Sequence, residues 1–260
     1  MAKPIVIKKK IDSFNNKIRV SGDKSLSIRW ALLASQAKGI SKAYNLLRSL
    51  DVISALKCLK KLGVKVKWKK SYCEITGNGL NTYKNLKKII LDAGNSGTLG
   101  RLILGLLIHH ESKVKIIGDK SLSKRDFSRV IIPLKKFGAK FKYKSNHKLP
   151  IEINGISNAK PINYHETKGS AQCKSAVMLA ALNTKGETII KAKKSRDHTE
   201  ILFKYLKIPI SLKKNKNFDL IKINGKKQFS GFNYNIPSDI SSSAFFIVLT
   251  LLSKKSKLTI

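Results

Sequence analysis

The sequence predicts an α/β domain with pseudo-threefold symmetry, in which three units each have the order β-α-β-α-β-β. Two observations indicate this fold. Short β-branched runs alternate with apolar helical patterns along most of the 260 residues. Landmarks also recur at a nearly constant spacing. The first helix of each unit starts at intervals of 72 and 74 residues, at Asp23, Asn95 and Gly169, and the last strand of each unit ends in a glycine turn, at Gly77, Gly155 and Gly225.

The elements follow from the local pattern in each unit. Runs that alternate between apolar and polar residues predict strands, and apolar residues at helical spacing behind a polar cap predict helices. The first unit, 19–80, has a strand near Arg19, helices at 24–37 and 51–62, and strands at 42–46, 64–69 and 72–76. The second unit, 85–157, has strands at 88–91, 113–117, 140–144 and 150–154, and helices at 96–109 and 128–137. The third unit, 160–227, has strands at 162–165, 188–191, 208–212 and 220–224, and helices at 170–183 and 198–206.

A fourth unit starts near the end of the sequence. A strand at 234–237 and an apolar helix that runs to 252 are followed by a strand at 257–260, without a second helix or a closing hairpin. Repeats of this length do not form a thin solenoid. We therefore expect residues 19–233 to form a first domain, and residues 1–18 and 234–260 to be fragments of a second domain that is largely truncated.

The net charge of +38 indicates an anionic partner only weakly. The basic residues comprise 46 Lys and seven Arg, spread along the whole chain. Proteins that clamp phosphates favour Arg for its bidentate geometry, so an even excess of Lys is more typical of a composition bias on a solvated surface. The sequence has neither a basic arm nor a pattern of stacking aromatics. We therefore expect no specific nucleic-acid partner.

The sequence also indicates a soluble cytoplasmic protein. It contains no run of 18 apolar residues that could span a bilayer, so we expect no membrane partner. The first ten residues lack the apolar stretch of a signal peptide. Cys58, Cys73 and Cys173 form no C-x-x-C pair, and the five histidines show no metal-ligand spacing. We expect buried free thiols and no metal site.

Four helix starts are rich in small polar residues, which predicts an anion-binding surface if the fold brings them together. Free N–H groups and the positive end of the helix dipole favour anions there. Ordinary N-capping is the alternative for each start taken singly. A Walker-type loop does not fit, because Asp23 stands where that motif needs Gly. His198 either caps a helix or contacts a ligand. The four starts lie at 22–25, 94–98, 169–172 and 238–243, and Arg29, Arg101, Arg125 and Arg196 lie at or near such starts.

Six motifs follow one another along the chain: SGDKSLSIR at 21–29, GNSGTLGRL at 94–102, GDKSLSKR at 118–125, SAQCKSA at 170–176, SRDHTE at 195–200 and PSDISSSAFF at 237–246. In this order they resemble the motifs of the EPSP synthase (3-phosphoshikimate 1-carboxyvinyltransferase) family. The resemblance implies an inside-out α/β barrel of the enolpyruvyl transferase type and no cofactor. It also implies the shikimate-pathway reaction in which the 5-hydroxyl of shikimate 3-phosphate adds to phosphoenolpyruvate and phosphate is released.

The resemblance implies roles for ten residues, with Lys24 as the catalytic residue near the reacting hydroxyl. Those expected to bind phosphoenolpyruvate are Lys24, Asn95, Gly97, Arg125 and Gln172. Those expected to bind shikimate 3-phosphate are Lys24, Ser25, Arg29, Ser170, Ala171, Gln172 and Arg196.

Two residues depart from the family pattern, because Asp126 stands in place of a usual Pro and Ser238 in place of a usual Gly. The family's acidic proton-transfer residues belong to the second domain. We therefore expect a chain that binds shikimate 3-phosphate but turns over little alone, and a full-length protein that is monomeric.

Two alternatives stay open at this point. The sibling transferase that acts on UDP-N-acetylglucosamine needs Lys-Asn where this chain has Lys24 and Ser25, and a reactive Cys where 111–120 has none. A basic phosphate- or nucleic-acid-binding module without catalysis is the other alternative. Its affinity would fall steeply with salt.

Overall fold

The computed structural model describes residues 6, 11–83 and 88–260. Within these residues the chain forms seven α-helices and fourteen strands. The helices are α1 (Lys24–Ala34), α2 (Leu50–Lys61), α3 (Gly97–Leu107), α4 (Ser128–Lys136), α5 (Ala171–Leu182), α6 (His198–Tyr205) and α7 (Ile240–Leu252). The strands are β1 (Asn15–Lys17), β2 (Lys38–Tyr44), β3 (Lys65–Trp68), β4 (Tyr72–Asn78), β5 (Ile89–Asp92), β6 (Lys113–Ile117), β7 (Lys140–Tyr143), β8 (Ile151–Asn154), β9 (Asn163–Glu166), β10 (Glu187–Lys193), β11 (Ile210–Lys214), β12 (Phe218–Asn224), β13 (Asn233–Asn235) and β14 (Lys257–Thr259).

Three sheets repeat one topology in the described part of the chain. Their strand orders are β13-β2-β4-β3, β5-β6-β8-β7 and β9-β10-β12-β11. In each sheet the first pair is parallel and the other two pairs are antiparallel. This confirms the predicted α/β fold with three repeated units, although the outer strand of the first sheet is β13 and not a strand at the start of that unit. The helices and strands lie close to their predicted positions, with ends that differ by a few residues.

The first sheet takes its outer strand from the far end of the sequence. β13 pairs in parallel with β2, with Asn233 opposite Lys42, in the position that β5 and β9 occupy in the other sheets. The strand expected near Arg19 is wrong, because Arg19 lies outside regular structure and the preceding β1 pairs with β14. The pattern around Arg19 favours an extended chain, but pairing with a distant segment decides which strand completes the sheet.

Two adjacent segments connect the three sheets to β1, β14 and α7. The backbone N–H of Asp23 donates to Pro237 O at 2.8 Å, and that of Asp239 donates to Ser21 O at 2.9 Å. A Cβ at Gly22 would clash with a neighbouring carbonyl oxygen, so glycine allows this close crossing. The domain limits expected from the sequence stay a prediction, and the expected start of the second unit, at 85, lies outside the described residues.

The first helices of the three units form the core. In α1 every residue from Leu26 to Ala34 is buried, and α3 and α5 are buried almost as completely. A Cβ at Gly105 in α3 would overlap the carbonyl oxygen of Ala176 in α5, so glycine allows close approach of these helices. α2, α4 and α6 bury only part of their surface. The core is therefore helical, with the sheets outside it.

α7 differs from the core helices, because most of its apolar side chains are exposed. Phe245 is 81% exposed and Leu251 79% exposed. The helix has 13 residues. Among the helices that the structure describes, none combines the length and the hydrophobicity needed to cross a membrane.

Candidate anion-binding site

Each core helix starts at a side-chain cap. The Asp23 carboxylate accepts a hydrogen bond from the Leu26 N–H at 2.7 Å, and Ser96 and Ser170 cap α3 and α5 in the same way. The sequence placed the second and third caps at Asn95 and Gly169, one residue too early. Because each side chain satisfies a backbone N–H of its own first turn, the helices begin at defined positions.

The three starts meet around an open cavity of about 290 Å³. It is lined by Lys24 of α1, by Gly97 and Thr98 of α3, by Gln172 of α5, and by Asp51, Asn95 and Arg125. The five residues expected to bind phosphoenolpyruvate therefore line one cavity, although they come from distant parts of the sequence. Their roles stay a prediction.

Lys24 already has a partner in this cavity. Its Nζ lies 2.9 Å from Asp51 Oδ2, and the Lys24 side chain is 47% exposed. Asp51 belongs to the first turn of α2, where a carboxylate also complements the helix dipole. The Asp51 side chain is 20% exposed, and a solvent-accessible pair of this kind is weak, at about 0–1 kcal/mol. Lys24 is thus restrained but free to move to an incoming anion.

Gly97 allows two guanidinium groups to lie over the start of α3. A Cβ at this position would lie 2.8 Å from Arg101 Nη1 and 3.0 Å from Arg125 Nη1. Arg125 Nη2 donates to Asn95 Oδ1 at 2.9 Å. Arg101 lies over the Phe127 ring, 5.0 Å from its centroid. Gly97 therefore leaves room for both guanidinium groups over the start of α3.

Gln172 connects this cavity to a second one. Its Nε2 donates to Thr98 Oγ1 at 3.0 Å, and its Oε1 accepts from Arg101 Nη1 at 2.9 Å. Burial lowers the pKa of Arg101. The second cavity, of about 430 Å³, is lined by Arg101, Arg125, Asp126, Arg129, Ser170, Gln172 and Cys173. The described residues give these three arginines no salt-bridge partner, so the surface is strongly electropositive.

Arg29 is the one predicted cation that is buried, with 4% of its surface exposed. Its Nε donates to Thr199 Oγ1 at 2.8 Å, its Nη2 to Ser175 Oγ at 3.0 Å and its Nη1 to Ser25 O at 3.1 Å. Burial lowers the pKa of Arg29 to about 10, and the charge of Glu200 partly offsets this. Arg29 stays charged at neutral pH.

A sequence model of EPSP synthase, described as 3-phosphoshikimate 1-carboxyvinyltransferase, matches residues 8–260. The chain belongs to this family. A 3-phosphoshikimate 1-carboxyvinyltransferase of Streptococcus mutans is 40% identical over 245 residues, covering 94% of this chain and 56% of the relative. One from Ruthia magnifica is 42% identical over 255 residues, covering 97% of this chain and 57% of the relative.

The solved structures agree with this assignment. An EPSP synthase from Acinetobacter baumannii superposes with a TM-score of 0.85 at 32% identity, covering 95% of this chain and 55% of that one. The likeness confirms the enolpyruvyl transferase type of fold. The chain spans just over half the length of the EPSP synthases that it matches.

Asp126 and Ser238, the two residues that depart from the EPSP synthase pattern, each form hydrogen bonds with nearby residues. Asp126 accepts hydrogen bonds from Ser128 N at 2.7 Å and from Ser128 Oγ at 2.5 Å. Partial burial alone would raise the pKa of Asp126, but these bonds outweigh it and the pKa is lowered. Ser238 donates from Oγ to Val20 O at 3.0 Å, within the paired segments. Asp126 is therefore engaged by the start of α4 rather than by Arg125.

The remaining residues expected from the EPSP synthase resemblance lie around Arg29 and the start of α5. Ser25, Ser170 and Ala171 are half-buried at helix starts, and Arg196 is exposed. The charge of Arg196 acts on Arg29 by lowering its pKa, after burial as the main cause. These positions fit a binding surface, and the individual contacts stay a prediction.

His198 is the first residue of α6, where the preceding Asp197 is the cap. Burial lowers the pKa of His198, and Arg29 adds to the effect. Its Nδ1 is buried and has no hydrogen-bond partner among the described residues.

The sequence analysis gave no individual role to Asp51, Thr98, Ser175 or Thr199, which all contact predicted site residues. Ser175 stands beside Lys174 in an otherwise apolar stretch of α5, and that pair of polar residues was a usable signal.

The three cysteines are buried free thiols. Within the described residues, no group of three His, Cys, Asp or Glu side chains could hold a metal ion.

Proposed function

We propose that this chain forms the part of an EPSP synthase that binds shikimate 3-phosphate and phosphoenolpyruvate. The complete enzyme transfers the enolpyruvyl group to the 5-hydroxyl of shikimate 3-phosphate and releases phosphate. One observation carries the proposal: five residues from four separate segments, which the family pattern assigns to phosphoenolpyruvate, line the 290 Å³ cavity. Membership of the family supports it further.

The charges of the cavity suit this chemistry. Phosphoenolpyruvate carries a carboxylate and a phosphate, and Lys24 and Arg125 face the same space. The hydroxyl oxygen adds to C2 and gives up its proton, while the C2–C3 double bond opens and C3 takes a proton, which gives a tetrahedral intermediate that still holds the phosphate. Phosphate then leaves with its electron pair, and C3 loses the proton. In our proposal Lys24 lies beside the reacting hydroxyl and stabilises the charge that develops there.

Proton transfer at C3 needs an acid-base group. Among the residues that the structure describes, Asp51 is the only carboxylate that lines the cavity, and it pairs with Lys24. We therefore propose that this chain binds substrate and turns over slowly or not at all.

A cytoplasmic location and a monomeric full-length protein belong to the same proposal. Size-exclusion chromatography tests the monomeric state.

Calorimetric titration with shikimate 3-phosphate tests the proposal. We expect saturable binding that survives moderate salt, and at least a tenfold loss, or about 1.4 kcal/mol, in Lys24→Ala. Lys213→Ala is the matched control, because Lys213 is an exposed lysine in β11. Absence of binding by the parent chain at millimolar ligand would overturn the proposal. So would affinity that disappears with salt as steeply as for a polyanion.

A further inference from the structure

Two hydroxyl groups hold one edge of the Arg29 guanidinium. Thr199 Oγ1 accepts from Nε, Ser175 Oγ accepts from Nη2, and the two hydroxyl oxygens are 2.7 Å apart. Arg29 is in α1, Ser175 in α5 and Thr199 in α6. The guanidinium is therefore fixed by two other helices, not only by its own.

A count of donors shows what is left for a ligand. A guanidinium has five N–H donors. Arg29 uses one toward Thr199, one toward Ser175 and one toward Ser25 O, so two are free within the described residues. One free donor is on Nη1 and one on Nη2. Donors on the two terminal nitrogens can contact the two oxygens of a carboxylate or phosphate.

A buried ion pair supports the hydroxyl pair. Lys174 Nζ lies 2.5 Å from Glu200 Oε1, and the two side chains are 0% and 2% exposed. Lys174 precedes Ser175 in α5, and Glu200 follows Thr199 in α6, so the ion pair and the hydroxyl pair are neighbouring connections between the same helices. The charge of Glu200 also acts on Arg29. Arg29, Lys174 and Glu200 together carry one net positive charge, and the charges of Asp23 and Arg196 also act on Arg29, with opposite signs.

We propose that Thr199 and Ser175 are positioning residues, which fix Arg29 so that its two free N–H donors face the anionic group of the substrate. The inference rests on the proposed function, because it takes shikimate 3-phosphate as the ligand of Arg29. The hydroxyl pair occupies one edge of the guanidinium and thereby selects the edge that binds. Without it, the guanidinium turns about its side chain and the bidentate contact is lost.

Calorimetry with shikimate 3-phosphate on four variants of the chain tests this. Thr199→Val keeps the side-chain volume and removes the hydroxyl, and we expect affinity to fall by about tenfold or more because the ligand contact is charge-assisted. Thr199→Ser keeps the hydroxyl and should restore affinity to within about threefold of the parent chain. In an Arg29→Gln background, adding Thr199→Val should change affinity by less than about twofold, because coupled residues are not additive.

Thermal unfolding of each variant checks that loss of binding is measured on folded protein. A second readout needs no ligand: exchange of the Arg29 Nε–H with solvent, followed by NMR, should be slow in the parent chain and in Thr199→Ser, and fast in Thr199→Val. Equal affinity and equal exchange in Thr199→Val would overturn the inference while the proposed function stands. So would a loss of affinity of the same size in the Arg29→Gln background. If the parent chain itself fails to bind, the proposed function is wrong, and this inference fails with it.

Discussion

The cations of the candidate site lie in two environments that differ in exposure to solvent. Lys24 and Arg125 face an open cavity, where Lys24 is 47% exposed and held by one carboxylate. Arg29 is 4% exposed and bonded to three neighbours. In the open cavity solvent screens each pair, so partners can exchange. In the buried cluster water cannot replace a lost partner, so each hydrogen bond contributes to stability. The same hydrogen bonds fix the orientation of the Arg29 guanidinium.

The largest expected effect lies in the buried cluster. Glu200→Gln removes the charge that pairs with Lys174, and we expect the free energy of unfolding to fall by about 3–5 kcal/mol, because a buried charge is left without its partner. Urea unfolding measures this. Glu187→Gln is the control, because Glu187 pairs with Lys222 at 3.5 Å and is 39% exposed; it should cost less than about 1 kcal/mol. Equal losses in the two variants would remove the distinction between the regions.

Burial should also appear as a pH effect at His109. Burial lowers the pKa of His109 to about 4, although its ring nitrogen bonds to Ala180 O at 2.9 Å. The unfolded chain therefore binds the proton more tightly, so stability is full above about pH 6.5 and falls as the pH drops toward 4, by about 2 kcal/mol at pH 5.

Urea unfolding between pH 4 and 8 measures this, with His109→Gln as the comparison. We expect the variant to lose part of the slope between pH 6.5 and 4. An unchanged slope would contradict the assignment of that slope to His109.

In the open cavity we expect a substitution to lower binding affinity with little change in stability. Gly97→Ala should displace Arg101 and Arg125, which lie 2.8 and 3.0 Å from the added Cβ. We expect affinity for phosphoenolpyruvate, measured with shikimate 3-phosphate present, to fall about tenfold, or about 1.4 kcal/mol. Stability should change little, because Ala is the better helix former.

Gly100→Ala is the control for this change. It lies in the same helix, and its added Cβ would meet the Phe127 ring at an ordinary 3.4 Å. If Gly97→Ala binds phosphoenolpyruvate like the parent chain, binding does not depend on the space that Gly97 leaves for the two guanidinium groups.

The smallest effect concerns Asp51. Asp51→Asn removes a carboxylate from the cavity and frees Lys24, so affinity for the anion should rise by about two- to fivefold at low salt. Stability should change by less than about 1 kcal/mol, since solvent reaches both side chains of the ion pair. Calorimetry at two salt concentrations measures the gain. A large loss of affinity would instead give Asp51 a direct part in binding.

Most helices and strands follow from the local sequence pattern, whereas the strand pairing that completes the first sheet does not. The sequence predicts α2 at 51–62 and β6 at 113–117, because the period of apolar residues is a property of each segment. It does not predict that β13 completes the first sheet beside β2, because pairing of such distant segments leaves no local signal. For the same reason the strand expected near Arg19 is wrong.

The site shows the same division. Helix starts and family motifs predict Lys24, Gly97 and Gln172, which line one cavity. They do not predict Asp51 or Thr199, which look like ordinary first-turn residues of α2 and α6. Those two contact the site only through the packing of helices, which single-sequence patterns do not contain.

The most direct test of the account is amide NMR of the chain with shikimate 3-phosphate and phosphoenolpyruvate added in turn. Shikimate 3-phosphate should shift the amide signals of Ser25, Ala171 and Arg196. Phosphoenolpyruvate should then shift those of Asn95 and Gly97, at the start of α3. Saturable shifts at these positions are the predicted result. Shifts that are absent, or that spread over surface lysines and vanish with salt, would contradict the account.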